Sequence, residues 1–504
     1  MNNNDTQNQP KDDDKRKRLM VWLSSFRHLP LTIIALLLGI SIAAAIILLP
    51  KNFGQSVATG NNGLSKKIKP LLSPIYPEPV QACLTNKDNL TEEDVARARI
   101  AWKYFENNFQ QKTGLVNAAD AYPSTTMWDT GTSIGATIAA YDLGLITEKD
   151  FDDRITAMLA GVYELKLYNN EAPNKVYNTA TGEMVNYKNL ASEVGIGVSV
   201  LDLARLSSWL NILACTHPKH ANIARDVITH WNYCSLINDG QMYGLYLDPV
   251  TNKNQILQEG RLGYEQYAGK VFKMLGFDQK VSGTYNNEYK ATININDVPI
   301  AYDNRDPRKF GAYNYVVTES YVMDVFEHGY DEENKPLTDN IYEVQKRQWQ
   351  KTGQVTAVTE DNVDRKPNFV YNTIFASGSP WNAITDTGKD MEHLKTVSTK
   401  AAFSLAYLYP EDPYSKELLN AISSAYDPER GWYAGIYEKG LGYNDIITSN
   451  TNGVILTTML YKKYGALNKL CTRCGKGLSL KPDASTAAEF KEKCISGRPT
   501  PRVQ

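Results

Sequence analysis

Two kinds of helical pattern alternate along most of this chain. Leu90-Thr91-Glu92-Glu93-Asp94-Val95 reads as a hydrophobic staple with an N-cap and opens a helix to about Phe109. Ser133 to Leu143 follows, built of Ile, Ala, Gly and Thr with hardly any charge, and a helix apolar on every side must be surrounded by protein. Thr147 caps the next helix, in which Phe151, Ile155, Met158, Leu159, Val162 and Leu165 share one face, so its other side is wet. Val194 to Leu210 is again apolar nearly throughout, and Ala221 to Trp231 is one-sided. Gln258 to Leu275 runs from a polar turn into an apolar helix, Thr318 to Phe326 is a further helix of the series, and Lys335 to Trp349 is charged and reads as exposed. Val397 to Tyr409 is mostly apolar. Asp412-Pro413 then starts a one-sided helix with Tyr414, Leu418, Ile422 and Ala425, and Ser449 to Tyr464 closes the series as a buried helix ending at Gly465.

Buried and half-wet helices in alternation are what a double ring of helical hairpins requires. The expected fold is all-α, an α/α toroid of six hairpins over residues 83–470, with inner helices lining a core and outer helices shielding them. An open solenoid would also alternate, but it would show a short self-similar repeat, and none is present. Residues 281–302 and 354–379 are richer in Thr, Val, Ile, Tyr and Asn and read as loops and short strands over one rim.

The ends differ in kind. Residues 1–29 are polar at first and carry the basic cluster Lys15, Arg16, Lys17 and Arg18, which reads as a disordered cytoplasmic tail. Leu31 to Leu49 has no charge and its 19 residues match the ~20 that cross a bilayer as a helix, so residues 30–50 are expected to anchor the chain with the remainder periplasmic. Ser56-Val57-Ala58 leaves cleavage open. Residues 51–82, with four prolines from Pro70 to Pro79, form a spacer. Cys83, Cys215, Cys234, Cys471, Cys474 and Cys494 all follow the apolar run, and an even count in an exported domain favours disulfides. Cys215 and Cys234 flank one predicted helix and are a plausible pair. Residues 471–504 read as a stapled tail, with zinc at Cys471-x-x-Cys474 as the weaker alternative.

Candidate chemistry gathers just before the inner helices. Trp128 and Asp129 precede the first. The turn Glu259-Gly260-Arg261-Leu262-Gly263-Tyr264-Glu265 precedes the third, its two glycines letting the backbone bend and its free helix-start N–H groups facing whatever the turn faces. Trp381 precedes the fifth, and Trp432, Tyr433, Glu438, Asn450 and Asn452 precede or open the last. In a ring these turns converge on one mouth. Carboxylates with exposed aromatic rings in one cleft suit carbohydrate cleavage, where one acid protonates the leaving oxygen, a second activates water or attacks carbon, and flat rings stack on sugar. The blander account makes Asp129 an N-cap, the tryptophans core plugs, and Asn450 and Asn452 capping groups.

Composition narrows the choice. A net charge of −2 gives no basic surface for nucleic acid, and the 31 Tyr against 13 Phe favour a wet, sugar-like ligand. The six His are scattered, and His217-Pro218-Lys219-His220 lies between helices with no carboxylate ligands beside it, which argues against metal catalysis; no nucleophile elbow, P-loop or dinucleotide fingerprint is present. No cofactor or metal is expected.

Several longer motifs carry a resemblance. Trp128-Asp129-Thr130-Gly131-Thr132, Pro173-Asn174-Lys175-Val176-Tyr177-Asn178-Thr179, Gln258 to Tyr267, Thr359-Glu360-Asp361-Asn362, Phe369-Val370-Tyr371-Asn372-Thr373, Ser398 to Phe403 and Thr451-Asn452-Gly453-Val454 look like domain of unknown function 3131. That bacterial family is similar to glucoamylase-type α/α-toroid glycosidases. The resemblance covers roughly residues 90–465 and implies an envelope protein acting on or with polysaccharide, without supplying a catalytic pair. Glu259 or Glu265 is the expected source of one carboxylate, and Asp129, Glu360, Asp361 or Glu438 of the other. Trp128, Tyr264, Tyr371, Trp381, Trp432 and Tyr433 are candidate stacking residues, and Lys175, Arg261, Asn372, Asn450 and Asn452 candidate hydroxyl contacts. The expected function is a membrane-anchored glycoside hydrolase or transglycosylase acting on a glucan or exopolysaccharide. The alternative is a binding or scaffold protein that holds a polysaccharide, or a synthase or export partner, without cutting; a purely structural envelope protein is a third reading.

Overall fold

Six inner helices close a ring, each packed against the next and the last against the first. They are α2 (Met127–Asp142), α4 (Val200–Thr216), α6 (Tyr264–Leu275), α7 (Thr318–His328), α9 (Thr399–Leu408) and α11 (Ser449–Tyr464). This computed structural model describes residues 84–233, 235–310, 313–474, 477, 478 and 480. The expected cytoplasmic tail and anchor, nearly all of the spacer, and residues 481–504 of the tail lie outside the described residues. Among the described residues no helix is long and apolar enough to cross a membrane.

The inner helices are buried along most of their length, and in α4 every position from Leu203 to Thr216 is buried. The outer helices are α1 (Glu92–Asn108), α3 (Glu148–Glu164), α5 (Ala221–Thr229), α8 (Asn334–Thr352) and α10 (Pro413–Ile422). Their ends are set by the local signals. Thr91 and Thr147 form capping boxes with Asp94 and Asp150, and Asp412 caps α10 ahead of its proline.

The ring departs from six helical hairpins at one place. Between α6 and α7 the outer position is taken by an antiparallel hairpin, β5 (Lys290–Ile295) and β6 (Val298–Asp303). Ile295, Val298 and Ile300 pack there with Ile341 and Val344 of α8. A strand pair does the shielding because this stretch is β-branched at alternate positions. Short strands gather at the rim, as expected for residues 354–379 and beyond them as well: β1 (Ser124–Thr126) with β2 (Val176–Asn178), β3 (Gln241–Leu247) with β4 (Asn254–Gln258), β7 (Glu360–Asn362) with β8 (Phe369–Asn372) and β9 (Ala383–Ile384), and β10 (Thr396–Ser398) with β11 (Gly431–Tyr437) and β12 (Tyr443–Ile447). Several of them lead straight into inner helices and so fix where those helices begin.

The opposite end is closed by the chain's C-terminal part. Cys215 at the end of α4 is disulfide-bonded to Cys471 in the short helix Leu470–Cys474, not to Cys234. The Leu478 N–H donates to Asn211 and the Leu480 N–H to the carbonyl of Leu275, so the tail lies along the feet of α4 and α6. Cys474 is likewise disulfide-bonded, which takes both thiols of the Cys471-x-x-Cys474 motif out of the zinc alternative.

Candidate active site

The N-terminal turns of the inner helices meet at one mouth. Thr126 caps α2 and its hydroxyl also donates to Asp129, 2.8 Å away, so Asp129 is a first-turn acid and Thr126, not Asp129, is the cap. The other oxygen of Asp129 accepts from Ser449 of α11 at 2.6 Å. Next to it the Trp128 indole N–H donates to Asn450 (3.2 Å), whose amide donates to both oxygens of Glu319 in α7 (3.0 and 3.1 Å). Lys400 of α9 stands 2.5 Å from Glu319 and 3.4 Å from Asp361, tying α7 and α9 to strand β7. Tyr264 of α6 meets Trp128 edge-on at 5.5 Å. Beneath, the Arg205 guanidinium lies 5.3 Å from the Trp128 ring and is itself ion-paired to Glu327, which also accepts from Tyr267 at 2.8 Å. A half-buried tryptophan is thus held from below, from the side and by its own N–H.

Two acid groups adjoin this floor. On one wall are Asp202, in the first turn of α4 under its cap Ser199, and Glu259, which accepts from the Val200 N–H at 2.6 Å. Gly244 of β3 makes room for Glu259: a Cβ there would stand 2.6 Å from its carboxylate. Although the edge of Asp202 reaches solvent, enclosure in protein and the nearby Glu259 charge push its pKa up to about 7. On the other wall burial pushes Glu360 and Asp361 up to about 7 as well, against the pull of Lys400. Burial also raises the pKa of Asp129, with Glu319 adding to the rise, so Asp129 couples the two walls. Tyr371 stacks on Tyr315 with ring centres 3.6 Å apart, and Phe369 stands edge-on to it at 5.2 Å, extending the aromatic surface outward. Lys175 lies 5.8 Å from the Tyr246 ring and its charge reaches Asp202. Tyr187 is 69% exposed, yet its hydroxyl feels Asp202 and Glu259, which places it in the open mouth.

Not every expected site residue is here. Glu265 is fully buried and ion-paired with Arg305 at 2.5 Å, which also holds Asp303. Arg261 is buried too, donating to Gln258 and to the carbonyls of Gly260 and Phe310; burial and the Arg305 charge bring it down to about 10. Gly260 and Gly263 have φ of 98° and 106°, the tight bend the sequence implied. The start of α6 is nevertheless closed to a ligand, because the Leu262 N–H donates to Asp303 and the Gly263 N–H to Gln266. Trp432 is buried against Phe403 with its N–H on the carbonyl of Arg97, and Asn452 braces the Trp432 backbone. Tyr433 packs on Tyr443 in the outer part of the β11–β12 hairpin. Asn372, Trp381 and Glu438 line a different cavity.

The structure therefore brings together Trp128, Asp129, Lys175, Glu259, Tyr264, Glu360, Asp361, Tyr371 and Asn450, and adds Asp202, Glu319, Lys400 and Tyr187. Asp202 is hidden in the sequence because the apolar run begins at Val194, which puts Asp202 in a helix interior; the actual start at Val200 makes it a first-turn acid. Glu319 and Lys400 had a usable signal, since each lies within two residues of an inner-helix start.

Among solved structures the fold resembles a putative glucoamylase from Bacteroides caccae (TM-score 0.55, 13% identity, 82% of this chain and 98% of that one). It also resembles an endo-β-1,2-glucanase from Chitinophaga pinensis bound to sophorotriose and glucose (TM-score 0.56, 12%, 81% and 98%). A third similar structure is an endo-β-1,2-glucanase from Talaromyces funiculosus with sophorose (TM-score 0.52, 11%, 80% and 88%). At these identities the likeness is one of fold, the glucoamylase-like α/α toroid. No curated protein matches the chain. The profile described as "Protein of unknown function (DUF3131)" matches residues 96–465, more than half of the chain, and the protein belongs to that family.

Proposed function

We propose that the protein is a glycoside hydrolase or transglycosylase acting on a glucan at the mouth of the toroid. The observation that carries this reading is the gathering of two carboxylate groups, each with members whose pKa is raised to about 7, around a fixed tryptophan. Asp202 is protonated often enough at neutral pH to give its proton to the departing glycosidic oxygen. Glu319, held in place by Lys400 and Asn450, is the group assigned to draw the proton from an incoming water, or from a sugar hydroxyl in the transfer reaction. Trp128, Tyr264 and Tyr371 offer flat faces to sugar rings, and Lys175 and Asn450 offer donors to hydroxyls.

β-1,2-Linked glucan is the first polymer to try, since similar folds are named for cleaving it. An anchor at residues 30–50 and a periplasmic placement of the toroid complete the proposal. The test is to incubate the full chain with a panel of bacterial glucans and follow new reducing ends by chromatography. Saturable binding without product would favour a glycan-holding scaffold instead.

A further inference from the structure

The rim carries a second cavity, of about 170 Å³, lined by Gln348, Asn372, Trp381, Asn382, Lys395 and Glu438 among others. It is separate from the mouth. Successive residues of a strand point to opposite faces, and Tyr371 shares a face of β8 with its register partner Glu360, on the mouth side. Asn372 therefore points to the other face. There Asn372 is fully buried; its amide N–H donates to Thr396 at 3.2 Å, while its carbonyl oxygen accepts from nothing. Turning the amide round would satisfy the oxygen and orphan the nitrogen, so one end of this side chain lacks a partner either way. Trp381 packs against the buried cluster that includes Val358 and Ile374, which fixes its ring, and its backbone sits at φ 56°, an uncommon conformation for a bulky residue.

We propose that this cavity binds one uncharged pyranose ring. The fixed indole supplies an apolar face for the C–H side of a sugar. Asn372 Oδ1 offers an acceptor, and the Gln348 NH2 and the Asn382 side-chain carbonyl oxygen offer a donor and a second acceptor, since the Gln348 oxygen accepts from Asn296 and the Asn382 NH2 donates to Ala376. Glu438 and Lys395 add one charge of each sign, and Lys395 is already ion-paired with Glu392 at 2.7 Å, so the lining has no free cation for an anion and favours a neutral polyol. The volume falls below the ~300 Å³ at which pockets for drug-sized ligands begin, which suits a single ring and not a chain. The assignment rests on this lining alone and holds whether or not the mouth cleaves glycans.

The experiment is calorimetric titration of the full chain with methyl β-D-glucopyranoside and, separately, with glucuronate. Two variants accompany it: Gln354→Trp, which fills the cavity from its exposed lip, and Glu438→Gln, which keeps the shape and removes a charge. The expected result is glucoside binding that weakens at least tenfold in Gln354→Trp and severalfold in Glu438→Gln, with glucuronate at least tenfold weaker than the glucoside on the unaltered protein. No glucoside binding to the unaltered protein, the same affinity in both variants, or equal binding of glucuronate overturns the proposal. None of these results bears on the release of reducing ends at the mouth, which is read separately.

Discussion

Lys400 holds the buried wall of the mouth together, because Glu319 and Asp361 both depend on its charge. Lys400→Met leaves two enclosed carboxyl groups without a counter-ion, and removing one partner of a buried pair costs about 3–5 kcal/mol. Urea unfolding should show a loss of that size, partly recovered by adding Glu319→Gln. Asp202 acts in the opposite sense. Its native pKa of about 7 lies above the ordinary 3.8, so between those values the folded state holds more protons than the unfolded chain, and stability falls as pH rises through that window. Below pH 3.8 the contribution is fully present, and above about 7 it is gone. Unfolding followed from pH 4 to 8 should show a shallower decline for Asp202→Asn than for the unaltered protein. Activity should decline above about pH 7 as the acid loses its proton. At this scale the sequence was only partly legible. Trp128, Asp129 and Asn450 were visible because aromatic, acidic and amide groups cluster at helix starts. Glu265 and Arg261 carry the same signature, but local spacing does not show that Arg305, forty positions on, neutralises Glu265 or that Arg261 is taken up by Gln258 and the carbonyls of Gly260 and Phe310.

At the scale of elements, helix starts decide which side chains reach the mouth. Thr126 both caps α2 and donates to Asp129, so Thr126→Ala should cost about 1 kcal/mol of stability, typical of a lost N-cap, and lower activity by freeing the Asp129 side chain. Thermal unfolding and initial rates measure the two effects separately. The pattern of apolar positions revealed both kinds of helix, because an inner helix has no wet face and an outer one has. It could not show that a hairpin replaces one outer helix, since shielding needs only an apolar face, and β5 and β6 present one at the strand period. Nor could spacing choose among cysteines: Cys215 and Cys234 are neighbours in sequence, but the ring carries Cys471 to the foot of α4.

For the whole molecule, that link joins positions separated by 256 residues and ties the last inner helix's exit to the second inner helix. Cys471→Ser should cost about 2–5 kcal/mol in denaturant unfolding under oxidising conditions and little under reducing ones, by lifting a constraint on the unfolded chain. The toroid makes one end of the ring a foot closed by chain and the other a mouth ringed by acids, and the functional proposal depends on that asymmetry. Its most direct test is the rate of reducing-end release from β-1,2-glucan by the unaltered protein, Asp202→Asn, Glu319→Gln and, as a control on the exposed side of α3, Asp153→Asn. Cleavage that falls roughly 10²–10⁴-fold in the first two variants and stays near its original rate in the control is the predicted result. Full activity in both mouth variants, or loss only in Asp153→Asn, would contradict the account.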